Sequence, residues 1–510
     1  MLVKKLEMGT AGMRGKVGIG QDKLNFAYID QIVNAFGLYL INKYSNVKEK
    51  IVIIGRDNRN LSKEFAYYSA QILSKYNIKV KLSKDICPTP FVSYCIMKFN
   101  ALGGINITAS HNPKEYNGIK LYNSFGGQCL PEEVENIKKY FSPYNNSKET
   151  LNIDCKLINN VEYIEENLYQ KYCNKIIEKL NFNSPINNIK IVYSPLHGTG
   201  LKYVKYLSTK IFLNSNNLFF EPFQSKEDKD FSYCPSPNPE YNQTYKWAEL
   251  YNDKQNIGAD AIILTDPDSD RIGIKIKHKN QYVLLNGNEI ATLIFYFLTI
   301  NKVNIKNNYL SYSFVSSNLP AKIAKQKNIK TFEVPTGFKW ITHIINQNKN
   351  NNFLFAFEES NGCLLDSSIS RDKDAIQAFV ILIKMLSFYK DKNLTLYDVL
   401  QNIYLKYGFL KTKTISFDIT NKTKKQVNLI INNFKNLNLE NANFIDFNLK
   451  NDILKSNMYR YLFNDDSWIS LRPSGTEPKI KIYISTYGNT ELEAENKLIW
   501  MSNKIDNLLK

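Results

Sequence analysis

The chain has 510 residues, 43% of them hydrophobic and 13% aromatic, and a formal net charge of +18. That length exceeds what one hydrophobic core supports and points to three or four domains, while the apolar content excludes a disordered chain. The charge admits nucleic acid, an anionic membrane or small anionic substrates; the lysines are scattered among asparagines and isoleucines rather than gathered into a basic arm, which sets the first two aside.

Residues 1–9 carry two lysines but no apolar stretch of signal-peptide length. Gly9-Thr10-Ala11-Gly12-Met13-Arg14-Gly15 follows, a loop of small residues around one arginine. It is not a Walker A loop, because Val17 follows the Gly15-Lys16 step and no glycine stands five residues upstream of Gly15. Such a loop suits close backbone approach to an anion with Arg14 as a bidentate oxygen ligand; a plain glycine-rich turn is the competing reading. Helical spacing over 26–44, a strand at 51–54, a helix over 62–76 and a strand at 79–82 leading into Pro88-Thr89-Pro90 predict an α/β first domain with a largely parallel or mixed sheet. Ile105 and Ile107 alternate as a short strand that runs into Thr108-Ala109-Ser110-His111-Asn112-Pro113. Asn and Pro mark a turn, so Ser110 stands beyond the carboxyl end of a strand, where ligands bind in such sheets. A serine there is a candidate nucleophile, with His111 as proton acceptor and Lys120 as fixed positive charge; a turn serine beside a surface histidine is the alternative.

Residues 145–160 read as a polar excursion, 161–180 as a helix and Phe182-Asn183-Ser184-Pro185 as a linker. The strand at 189–193 feeds Gly198-Thr199-Gly200, but Tyr203 stands where a dinucleotide loop needs its third glycine. Proline density makes 235–240 a loop. The apolar strand at 261–264 ends in Asp266-Pro267-Asp268-Ser269-Asp270-Arg271. Spacing two puts three carboxylates on one side of an extended chain, where they raise each other's pKa unless a cation holds them. Hard oxygen ligands suit Mg²⁺ or Ca²⁺; Arg271 and Lys277 at the sixth and twelfth positions exclude an EF-hand. An apolar helix at 291–299, a polar linker at 302–308 and a strand at 309–315 come next, then a lysine-bearing turn, Val334-Pro335-Thr336-Gly337-Phe338-Lys339. The strand at 353–357 opens into Glu358-Glu359-Ser360-Asn361-Gly362, where carboxylate and hydroxyl suit two neighbouring sugar hydroxyls. Ser370-Arg371-Asp372-Lys373-Asp374 precedes an apolar helix at 375–389. Beyond about 410, Asn-Lys-rich segments surround short strands. The strand at 468–471 feeds Arg472-Pro473-Ser474-Gly475-Thr476-Glu477-Pro478-Lys479, a dianion cradle, and a helix at 491–509 closes the chain. Seven cysteines, odd in number and without a Cys-x-x-Cys pair, fit reduced thiols, and the longest apolar run, 291–300, is half a membrane span. The expectation is a cytoplasmic protein without membrane or nucleic-acid partners.

Together these stretches resemble the α-D-phosphohexomutase superfamily, the phosphoglucomutase and phosphomannomutase enzymes. Thr-Ala-Ser-His-Asn-Pro at 108–113, Asp-Pro-Asp-Ser-Asp-Arg at 266–271, Glu-Glu-Ser at 358–360 and Arg-Pro-Ser-Gly-Thr-Glu-Pro at 472–478 occur in the family's order. The resemblance implies three related α/β domains with mixed sheets and a smaller C-terminal α+β domain around a central cleft, divided here at 1–183, 184–303, 304–409 and 410–510. It implies that Ser110 carries a phosphoryl group, with Mg²⁺ bridging that phosphate and Asp266, Asp268 and Asp270. Arg14, His111, Lys120 and Arg271 match positions around the transferring group. Glu358 and Ser360 match the sugar-hydroxyl loop, with Thr336, Gly337, Lys339 and Lys373 nearby; Arg472, Ser474, Gly475 and Thr476 match the loop for the non-reacting phosphate. The implied activity interconverts hexose 1-phosphate and hexose 6-phosphate, with glucose as the first choice of sugar, through a phosphoserine enzyme and a sugar 1,6-bisphosphate that also serves as primer. The resemblance is greatest to the phosphoglucomutase branch that includes phosphopentomutase-like members. Mannose or pentose phosphates are the alternatives within the class, and a non-catalytic sugar-phosphate sensor is the alternative outside it.

Overall fold

The computed structural model of the chain describes residues 5–9, 12–182, 184–301, 307–348, 352–474 and 479–509. Four sheets organise it. The first, six-stranded, runs in the order Met13–Lys16, Tyr116–Asn123, Gly103–Ile107, Ile51–Arg56, Lys79–Leu82, Val161–Tyr163. Its inner strands pair in parallel and Tyr116–Asn123 turns back antiparallel on Gly103–Ile107. In the second sheet the fully buried strand Ala261–Thr265 lies between the parallel Ile191–Ser194 and the antiparallel Ile272–His278. The third sheet centres on Asn308–Ser313, parallel to Lys330–Val334 and Asn352–Glu358. The fourth is wholly antiparallel, from Phe409–Asp418 through Lys479–Gly488 and Trp468–Pro473 to Tyr459–Phe463 and Ala442–Asp446. Three domains with mixed α/β sheets and a smaller C-terminal domain with an antiparallel sheet are therefore the architecture, as the family resemblance implies.

Local chemistry places the elements. Asn25 caps the helix Phe26–Lys43 by accepting from the N–H groups of Ala27 and Tyr28, and Asp374 caps Ala375–Lys390 in the same way. The second is apolar nearly all round and almost wholly buried, while the first keeps a partly exposed polar face with Gln31, Asn34 and Asn42. One apolar cluster runs from Phe91 and Tyr94 through Tyr172 and Tyr203 to Phe295, Phe355 and Phe379, so the first three sheets share a core. The last sheet closes over a separate cluster around Phe434, Leu471 and Ile482.

Some expectations change. The stretch 161–180 is not one helix: Val161–Tyr163 pairs with Val80–Leu82 as an edge strand, and the helix is Leu168–Lys179. A β-branched residue within reach of a sheet edge takes the strand, and the polar turn at 165–167 resets the chain. Pro88-Thr89-Pro90 opens the helix Thr89–Lys98 with proline in its first turn, where the missing N–H has no partner to lose. The turn at 334–339 is shorter than expected, because Phe338 already begins a helix to Gln347. All seven cysteines are free, and among the described residues no helix is long and apolar enough to cross a membrane.

Candidate active site

The strand Gly103–Ile107 delivers Ser110 to a buried position with φ of +53°, a left-handed backbone that costs a non-glycine residue about 1–3 kcal/mol. Its N–H donates to Thr108 Oγ1 at 2.8 Å. Its hydroxyl donates across to the second domain, to Asp266 Oδ2 at 2.8 Å, and lies 3.2 Å from His111 Nδ1. Strand Ala261–Thr265 brings Asp266, Asp268 and Asp270 together, each offering one oxygen, with these oxygens within 4.8 Å of one another. They meet by a turn rather than along an extended chain: Ser269 has φ of +52°, and Asp266 Oδ1 accepts from the N–H groups of Asp270 and Arg271.

The expected mutual rise in pKa appears at one carboxylate only. Burial, then Asp268 and Asp270, push Asp266 well above the carboxylate range. Burial also works to raise Asp268 and Asp270, but ammonium groups win. Lys120 stands 2.6 Å from Asp268 Oδ2 and 3.2 Å from Asp270 Oδ2, Lys373 stands 3.4 Å from Asp270 Oδ2, and both acids end below their usual values. Asp268 Oδ1 and Asp270 Oδ1 are buried without a hydrogen-bond partner. Two orphaned anionic oxygens beside a carboxylate that resists ionisation are a donor set that fits a hard divalent cation.

The cationic rim has its own anchors. Arg14, on the strand opposite Gly118, donates to Asn112 Oδ1 at 3.2 Å. Arg271 is held by Glu240 at 2.8 Å. Burial, then Arg271 and Arg14, depress His111 far below the ordinary imidazole value and keep it neutral. In the third domain Glu358 accepts from the Gly337 N–H at 2.8 Å and lies 3.7 Å from Lys373. Thr336 and Ser360 sit half-buried in the same two loops. Lys339, in the first turn of its helix, is pulled down to about 8 by burial, against Glu358 and helped by Arg472. Arg472, from the fourth domain, thus lies close enough to act on the third; it donates to the Tyr483 hydroxyl at 3.2 Å, and Ser474 follows it. Gly475 and Thr476 lie outside the described residues.

Several contributors carry no signal in their own stretch of sequence. Thr89 joins the first two domains: its hydroxyl donates to Asp268 Oδ2 at 2.7 Å and its N–H to Asp268 O at 2.8 Å. Asp372 accepts from Tyr122 at 3.0 Å and Gln128 at 2.8 Å, joining the first domain to the third. Gly198 lies under the aspartate turn, where an added Cβ would stand 2.3 Å from Pro267 Cα. Gly198→Ala is expected to cost about 1–3 kcal/mol by overpacking against backbone that cannot yield, read as a lower thermal midpoint together with a raised requirement for divalent cation.

Four profiles of one family match the chain in order: phosphoglucomutase/phosphomannomutase alpha/beta/alpha domain I over residues 5–148, domain II over 170–279, domain III over 286–407 and the C-terminal domain over 420–496. The chain belongs to the phosphoglucomutase/phosphomannomutase family. It is 33% identical to a phosphomannomutase of Mycoplasmoides pirum, over 99% of this chain and 92% of that one. It is 34% identical to a phosphoglucomutase of Staphylococcus aureus (strain USA300), over 94% and 89%. In fold it matches the open form of the Paramecium phosphoprotein pp63/parafusin, a phosphoglucomutase, with a TM-score of 0.76 and 20% identity over 99% of this chain and 96% of that one. As a member of this family the protein is an isomerase of the phosphotransferase kind, and its buried aspartate triad is compatible with metal binding.

Proposed function

We propose that the protein interconverts glucose 1-phosphate and glucose 6-phosphate by passing a phosphoryl group through Ser110. The observation that supports this reading is the 2.8 Å approach of the Ser110 hydroxyl to the aspartate triad across a domain boundary. Phosphoserine 110 loses its O–P bond as a sugar hydroxyl oxygen forms a new one, and the hydroxyl proton ends on Oγ. The sugar bisphosphate turns over in the site and returns its other phosphoryl group to the serine. Sugar 1,6-bisphosphate also primes unphosphorylated enzyme. Asp266, Asp268, Asp270 and the phosphoserine would hold one Mg²⁺, which when bound supplies charge neutralisation at the transferring group.

The chain's own residues do the rest by positioning and charge. Arg14, Lys120 and Arg271 face the transferring phosphoryl, and neutral His111 is placed to move the proton at Oγ. Glu358 and Ser360 hold sugar hydroxyls, with Thr336, Gly337, Lys339 and Lys373 beside them. Arg472, Ser474, Gly475 and Thr476 hold the phosphate that is not reacting. The substrate is a small phosphosugar, and a cytoplasmic setting without nucleic acid or membrane belongs to the same reading.

Parallel assays with glucose, mannose and ribose 1-phosphates in Mg²⁺ test it. The highest kcat/KM is expected for glucose 1-phosphate; a preference for ribose 1-phosphate overturns that choice, and phosphate release at the turnover rate would make the protein a phosphatase. The depressed Lys339 adds a pH signature, since kcat/KM reports free-enzyme groups. While charged, Lys339 attracts the anionic phosphosugar to the loop of Glu358 and Ser360, so kcat/KM is expected to fall as pH rises through about 8. Lys339→Met should remove that limb, and Lys339→Arg should shift it beyond the working range.

A further inference from the structure

Arg59 lies beneath the Ser110 loop, on the turn that leaves the strand Ile51–Arg56, and is 3% exposed. Its guanidinium serves four backbone carbonyls of that one loop. Nη2 donates to Ser110 O at 2.6 Å and Asn112 O at 2.5 Å, and Nη1 donates to Pro113 O at 2.8 Å and Tyr116 O at 3.0 Å. Nε stands 3.2 Å from Asp57 Oδ2. Asp57 is itself fixed, accepting on Oδ1 from the Arg59 N–H at 2.9 Å and from Ser62 Oγ at 2.6 Å. The ring of Phe231, from the second domain, lies 4.9 Å from the guanidinium carbon. The adjacent Asn58 donates to His197 O at 2.7 Å and Asp228 O at 3.1 Å, also in the second domain.

A left-handed serine persists only where its surroundings over-determine it. Here the Thr108 hydroxyl holds the Ser110 N–H and Arg59 holds its carbonyl, so both peptide groups flanking the side chain are fixed. The planar, five-donor guanidinium can serve four acceptors at once; an ammonium has three donors on one point and cannot match that fork. The same turn is tied to the second domain, which registers the serine loop against the aspartate turn.

We propose that Arg59 is a positioning residue for phosphoryl transfer, holding the Ser110 backbone so that Oγ meets the aspartate triad. This rests on the reading of Ser110 as phosphoryl carrier. The test compares wild type with Arg59→Lys, which keeps the charge, and with Arg59→Gly supplemented with millimolar ethylguanidinium. Arg59→Lys is expected to stay folded and to lose about 10²-fold in kcat, the scale of an ångström misplacement, with KM little changed. Phosphorylation of Ser110 by glucose 1,6-bisphosphate should slow by the same factor, and ethylguanidinium should restore part of it in Arg59→Gly. Wild-type kcat in Arg59→Lys overturns the proposal. So does a loss of kcat with a matching loss of thermal stability and no rescue, or failure of both variants to fold, because either makes Arg59 a folding residue. A wild type that takes no phosphate on Ser110 removes the underlying reading instead, and the two failures are told apart in one series.

Discussion

Ser110→Ala should abolish turnover, with kcat lowered at least about 10⁴-fold, as when a covalent nucleophile is removed from an otherwise intact site. The fold should barely notice. The hydroxyl makes one hydrogen bond that matters to the domain interface, to Asp266 at 2.8 Å, and a single such bond contributes about 1 kcal/mol net. Alanine and serine tolerate the backbone at φ of +53° about equally, so no new strain arises. A coupled turnover assay beside a thermal melt separates the two effects. Activity surviving near the wild-type level would mean the phosphoryl group travels by another route.

The second large effect is on stability and belongs to Lys120. This buried ammonium lies between Asp268 and Asp270, at 2.6 and 3.2 Å. Removing one partner of a buried ion pair leaves the charge of the other uncompensated and costs about 3–5 kcal/mol. Lys120→Met is therefore expected to unfold at markedly lower temperature in chelator. Added Mg²⁺ should return part of the loss, because an ion that binds only the folded chain contributes about 2.7 kcal/mol at one hundred times its Kd. Turnover should still fall about 10²–10³-fold, since the cation beside the transferring group is gone. A melting temperature equal to the wild type's in chelator would show that the carboxylates do not depend on Lys120.

The serine loop and the aspartate turn are legible in the sequence because each follows a short apolar strand, and side chains at strand ends go where the sheet sends them. Glu358 and Arg472 are readable for the same reason. What is hidden is whatever depends on partners far along the chain. Lys120 reads as a charge beside a nucleophile, yet it sits against carboxylates about 150 residues away. Thr89 reads as part of a proline turn, and its grip on Asp268 exists only once two domains dock. Arg59 sits in an ordinary Asp-Asn-Arg turn whose worth comes from four carbonyls on another loop. Spacing two anticipated the aspartate cluster, although a turn through left-handed Ser269 is what gathers it. The misread helix at 161–180 is a tertiary effect, since the open edge of a neighbouring sheet captured Val161.

Intact-mass measurement after incubation with glucose 1,6-bisphosphate and Mg²⁺ bears most directly on the shared site of serine and aspartates. The protein should become heavier by one phosphoryl group, mapped to Ser110, absent from Ser110→Ala and discharged by glucose 1-phosphate. A phosphoryl group on any other residue, or none on a protein that nonetheless turns over its substrate, would contradict it.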